Sequence, residues 1–151
     1  MTSWPLPPPM TRALELARAA EALGEVPVGA VVTCRGAIVG EGHNRPRGLT
    51  DPTAHAEILA IRAAAARLGS ERLEHCELWD TLEPCAMCAG AIAHARIARL
   101  YYGAPDPKRG ADDHGSRVFD QPQCLHRPED SSGSGEAQAA ELLRQFFAAR
   151  R

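Results

Sequence analysis

Apolar positions along this chain fall into two rhythms, one helical and one extended. From Met10 to Leu23 they recur at helical spacing (Leu14, Ala17, Ala20, Leu23), and Gly24 stops the run. Two strands follow, Val28–Thr33 and Ala37–Glu41, joined across Cys34-Arg35-Gly36, a glycine-containing gap of the length a β-hairpin needs. Val28 to Val32 is apolar without alternation, so that strand is expected to be covered on both faces. Asn44, Pro46, Gly48 and Pro52 then forbid regular structure. Asp51 or Thr53 is the expected cap of a helix that reaches Leu68 and ends at Gly69, with His55 and Glu57 in its first turn. Cys76–Thr81 reads as a strand, Cys85–Ala95 as a helix with Pro84 suited to its first turn, and Arg99–Gly103 as another strand.

The pattern weakens after Ala104. Pro105, Pro107 and Gly110 mark loop, and Arg117–Asp120 is a short strand or a helical turn. Pro128 to Gly135 lacks apolar alternation and is not expected to make a full strand. Glu136–Arg150 is a last helix with Leu142, Leu143, Phe146 and Phe147 as its stripe; one of the two phenylalanines is expected in the core. The order helix, two strands, helix, strand, helix, strand, and a final helix implies an α/β fold. A three-layer α/β/α sandwich around a mixed sheet of about five strands is expected.

Length and composition narrow this further. At 151 residues the chain suits one domain over residues 10–151, behind a proline-rich, extended lead-in over residues 1–9. No apolar run approaches the roughly 18 residues of a membrane span, and Met1–Met10 has no basic region followed by an apolar core, so cytoplasm is the expected location. Five cysteines (34, 76, 85, 88 and 124) are an odd number, better suited to reduced thiols and metal than to a disulfide framework. The net charge of −2 offers no global attraction to nucleic acid, so any RNA contact must be local. Lys108 is the only lysine, leaving arginine as nearly all of the cationic chemistry.

The candidate chemistry is concentrated in His55-Ala56-Glu57 and Pro84-Cys85-Ala86-Met87-Cys88. His55, Cys85 and Cys88 are three zinc ligands, which leaves a tetrahedral ion one open position, as a catalytic site requires. A helix N-terminus lowers cysteine pKa, which favours thiolates at positions 85 and 88. Glu57 is the spare acid–base, placed to take a proton from a zinc-activated water and pass it to a ring nitrogen and then to departing ammonia. Two other readings bear on these residues. C-x-x-C also serves redox pairs, and Cys34, Cys76, Cys124 or His94 could complete a structural zinc site. The conjunction of H-x-E with P-C-x-x-C is the specific feature, because that pair of motifs is the signature of zinc deaminases of nucleobases.

With these motifs the chain resembles the cytidine deaminase-like zinc hydrolases, and among them the bacterial tRNA-specific adenosine deaminases. The matching stretches are Glu25–Val31, Gly42–Pro46, Asp51–Ile58, Thr81–Gly90, His94–Ile97 and the closing Leu142-Leu143, Phe146-Phe147 and Arg150-Arg151. The resemblance implies one zinc per subunit at His55, Cys85 and Cys88, proton shuttling by Glu57, and orientation of the base by Asn44 with the Ala56 backbone. It also implies a homodimer acting on the tRNA anticodon loop, with Asp106 near the bound nucleotide. On the residues alone, Asn44 is equally a loop residue bonded to backbone, and Asp106 a turn residue between prolines.

The chain departs from that pattern at Trp79-Asp80, where an aromatic–valine pair is usual, and at Asp112, Asp113 and His114, which replace smaller or less charged residues. A buried acid at position 80 must find a donor or reach water. The alternative activity is deamination of a free base or nucleoside, such as guanine, cytosine or cytidine. A catalytically idle zinc-fold binding module is the third reading, opposed by the intact Glu57. Arginines 45, 47, 144, 150 and 151 are the candidate groove cations, each also readable as a solvated side chain.

Overall fold

The computed structural model describes residues 5–150. Its element order is α1 (Pro8–Ala22), β1 (Gly29–Cys34), β2 (Ala37–His43), α2 (Ala56–Leu68), β3 (Cys76–Leu82), α3 (Ala86–Ala95), β4 (Arg99–Ala104), a short 3-10 turn (Val118–Asp120), β5 (Glu129–Ser132) and α4 (Glu136–Ala148). The five strands form one mixed sheet in the order β2-β1-β3-β4-β5. β1 is antiparallel to both β2 and β3, whereas β3, β4 and β5 run parallel. The hairpin turns at Arg35-Gly36, both with positive φ, as a two-residue turn matched to strand twist demands.

Helices cover both faces, so the three-layer expectation holds. α1 and α4 pack on one side, where Met10, Ala13, Leu14, Val31, Ala104 and Ala139 form a core. α2 and α3 pack on the other, where Ala30, Val32, Leu78, Ile92, Leu100 and Tyr102 form a second core. β1 is buried at every position but its last, as its unbroken apolar run predicts.

Small residues set how closely the layers approach. A Cβ at Gly42 would lie 2.4 Å from the Ala56 carbonyl oxygen, and one at Gly40 would lie 2.4 Å from that of Ala60. The α2 backbone therefore lies directly on β2, which fixes the end of α2 where His55 and Glu57 sit.

Several boundaries differ from the sequence reading, each for a local reason. α1 begins at Pro8, because proline is preorganised for a first helical position and gives up no needed N–H; of the lead-in, residues 1–4 lie outside the described residues. Neither Asp51 nor Thr53 caps α2. Asp51 instead accepts hydrogen bonds from the Thr53 N–H and hydroxyl, and His55 is the N-cap. Pro84 and Cys85 precede α3, with Cys85 as its N-cap. β5 does form, held by its backbone pairing to β4, but all four of its residues are exposed, so periodicity carried no sign of it. Phe146 is buried and Phe147 is half-exposed, dividing the pair between core and surface.

Candidate active site

The N-termini of α2 and α3 meet on one side of the sheet and bring three donor atoms together. His55 Nδ1 lies 3.6 Å from Cys85 Sγ and 3.6 Å from Cys88 Sγ. A tetrahedral zinc with Zn–S of about 2.3 Å and Zn–N of about 2.0–2.1 Å needs an N···S edge of about 3.6 Å. The donor set and its spacing therefore fit one zinc ion. Cys34 and Cys76 face each other across β1 and β3, and Cys124 bonds to the His126 carbonyl, so neither arrangement supplies a fourth ligand.

His55 stands outside the helix in extended conformation (φ −73°, ψ 153°), and Glu57 is the second residue inside it. The rotation of about 200° that would separate two helical residues at this spacing does not apply, and both side chains can serve one site. Cys85 and Cys88 are likewise N-cap and third residue of α3 rather than two members of one helical face. The Cys88 thiol, the His55 ring and the Cys88 backbone N–H all favour the thiolate at Cys85, lowering its pKa to about 4. Cys88 moves the other way, because it shares a proton with Cys85 and is buried. The Cys85 thiolate in turn raises the pKa of His55.

Glu57 is buried, and burial raises its pKa. Asp80, fully buried on β3, faces it. Burial first, then the Glu57 charge, hold Asp80 well above the usual carboxylate range. Asp80 Oδ1 accepts the Leu82 N–H at 3.3 Å, whereas Oδ2 has no partner among the described residues. The acid flagged in the sequence thus lies beneath the metal site rather than reaching water.

Asn44 Oδ1 accepts the Ala56 N–H at 2.9 Å, so this loop side chain ties down the first turn of α2 and leaves its amide nitrogen as a donor. Asp106 Oδ1 accepts the N–H groups of Lys108 and Arg109 and so closes the turn that carries them. The charge of Arg109 is felt at His55, which brings a cation to the metal side of the molecule. Of the other candidate cations, Arg144 is paired with Glu141, and Arg150 lies 3.5 Å over the Phe146 ring. Arg151 lies outside the described residues. A groove of about 570 Å³ lined by Pro105, Leu143, Arg144 and Phe147 runs along α4, on the opposite layer from α2 and α3.

Two buried glutamates that the sequence reading passed over hold the surrounding loops. Glu83 accepts the N–H groups of Asp106, Asp112, Asp113 and His114 and the His114 ring at 2.7 Å. Gly110 has to be glycine there, since a Cβ would lie 2.4 Å from the Glu83 carboxyl carbon. Glu25 accepts the N–H groups of Arg47 and Gly48. The signal available for Glu83 was a carboxylate wedged between an apolar strand and a helix-opening proline.

Residues 8–104 match the model of the cytidine and deoxycytidylate deaminase zinc-binding region. The chain belongs to this deaminase family. It is 54% identical over 142 residues to the tRNA-specific adenosine deaminase of Agrobacterium fabrum, covering 94% of this chain and 93% of that one. The enzyme of the same name from Haemophilus influenzae is 48% identical, covering 94% and 83%. A solved structure from studies of A-to-I editing by tRNA:A34 deaminases at the wobble position superposes with a TM-score of 0.88 at 52% identity, covering 89% of this chain and 98% of that one. The guanine deaminase of Nitrosomonas europaea superposes at 0.77 with 28% identity, covering 97% and 87%. The fold and the zinc-ligand set are thus those of a zinc-dependent hydrolytic deaminase.

Proposed function

We propose that this chain deaminates adenosine to inosine at the wobble position of tRNA, in the cytoplasm and as a homodimer. The observation that carries the reading is the zinc-sized His55–Cys85–Cys88 triangle with buried Glu57 beside it. It stands in a chain that matches, almost end to end, relatives named for this reaction.

His55, Cys85 and Cys88 would hold a zinc ion, which would supply Lewis-acid activation of a water near the amino-bearing carbon of the base. Glu57 would carry one proton of that water to the ring nitrogen and the remaining proton of the added hydroxyl to the departing amino group, so that the water oxygen stays on the carbon and ammonia leaves. Its raised pKa suits a group that must both accept and donate. Asn44 orients the base through its free amide nitrogen, with its own position set by the Ala56 N–H. Asp106 shapes the turn on which Lys108 and Arg109 face the phosphates.

α3 supports a dimer. Its sequence Ala-Met-Cys-Ala-Gly-Ala-Ile-Ala-His-Ala is apolar on nearly every side, yet Met87 is 37% exposed, and Gly90 and Ala91 are only partly buried. A helix apolar all round is normally covered. No described helix is long and apolar enough to cross a membrane.

Incubation of the zinc-loaded chain with an adenine-34 anticodon stem-loop, alongside free guanine, cytosine and cytidine, tests the reading. Inosine in the RNA with equimolar ammonia is expected. Ammonia from a free base and none from the RNA overturns it in favour of the second reading, which rests on the guanine deaminase likeness and on Asp80 beneath the site.

A further inference from the structure

A second group of potential ligands lies where the loop after β4 meets the edge strand β5. Oxygens of Asp112, Asp113 and Asp130 all lie within 4.8 Å of one another. Asp113 and Asp130 are exposed, but Asp112 is 5% exposed and its Oδ2 has no hydrogen-bond partner among the described residues. An acid withdrawn from water to this extent requires a donor or a cation. No arginine, lysine or histidine forms a salt bridge with any of the three among the described residues.

The surroundings hold the three in place. Backbone N–H groups of Asp112 and Asp113 are fixed on Glu83, and the Tyr102 hydroxyl donates to Asp113. Asp130 is paired with Leu100 in the parallel register of β4 and β5. Three clustered carboxylate oxygens, two of them reaching solvent, match the preference of hard divalent cations for oxygen ligands completed by water.

We propose that Asp112, Asp113 and Asp130 form a second metal site, for a hard divalent cation of the Mg2+ or Ca2+ class. Its ligands are separate from the zinc ligands. The bound ion fastens the Glu83-anchored loop to β5, a strand that buries none of its residues and is otherwise held by backbone pairing to β4 and an exposed Arg99–Glu129 ion pair. Burial beside Asp130 pushes the Asp112 carboxyl up to about 8 in the absence of such an ion. A shared proton is thus the competing occupant.

The test is a titration of the zinc-loaded chain at pH 8 with MgCl2, CaCl2 or MnCl2, at ionic strength matched with NaCl, reading Tm and zinc content. One of the cations at about 10 mM is expected to raise Tm by about 4 °C, as millimolar binding to the folded state alone would. Asp112→Asn and Asp130→Asn should each abolish that rise without changing zinc content. Asp130 is exposed, so its variant tests the site even if Asp112→Asn folds poorly. No rise beyond the NaCl control, or a rise retained in Asp130→Asn, overturns the proposal. A silent metal titration with a higher Tm for Asp112→Asn would identify the proton as occupant.

Discussion

The carboxyl of Asp80 on β3 faces the carboxyl of Glu57 in the first turn of α2, and both are buried. Two such groups cannot both be ionised cheaply, so the pair retains a proton over a wide pH range. The folded-state pKa of Asp80 is raised above its unfolded value. Its contribution to stability is therefore intact below about pH 4 and declines as pH rises toward the folded-state value.

Asp80→Val should remove that decline. The variant is expected to be more stable than the parent by about 1–3 kcal/mol, the cost of an unsatisfied buried polar group, with a larger gain at pH 8 than at pH 5. Thermal melts of zinc-loaded protein at the two pH values decide it. An unchanged or lower Tm at pH 8 would count against a destabilising carboxyl at this position.

Glu57→Gln keeps the shape and removes the proton carrier. Turnover should fall by about 100-fold or more, with zinc content still near one ion per chain by elemental analysis. Activity within a few-fold of the parent would remove Glu57 from the proton path.

Glu83→Gln replaces an acceptor-only carboxylate with an amide that turns an NH2 toward backbone donors. Loss of two or three charge-assisted hydrogen bonds should lower Tm by several degrees and speed amide exchange over residues 106–114, with smaller changes at α3. Exchange unaltered in that loop would show that Glu83 does not anchor it.

Gly42→Ala tests the close approach of α2 to β2. The added methyl meets the Ala56 backbone, so the first turn of α2 has to shift, carrying His55 with it. A lower Tm together with weaker zinc retention against a chelator is expected. A Tm loss with unaltered zinc retention would mean that the shift is absorbed further along α2.

Much of this architecture was legible in the sequence because its punctuation is strong. Gly24, Gly36 and Gly69 fall at element ends, and their positive φ values explain why. The zinc ligands were legible because metal chemistry needs particular residue types at particular spacings. What stayed hidden depends on contacts between distant segments. That Gly42 faces Ala56, and that Glu83 gathers the N–H groups of residues 106 and 112–114, has no trace in local periodicity. β5 buries nothing, and a strand with two wet faces has no alternation to read. Asp51 and Thr53 are commoner capping residues than histidine, which favours His55 inside α2 on sequence; here they bond to each other in the preceding turn and His55 is the cap.

Apart from the His114 ring on Glu83, Glu25 and Glu83 grip peptide N–H groups, and that has a bearing on how this molecule can change. Arg45, Arg47, Lys108 and Arg109 are carried on loops fastened from underneath, through atoms that every residue but proline possesses. New side chains can be tried at those positions with the metal ligands left undisturbed. The surface those side chains present is in this way free to drift while the metal-ligand set stays constant.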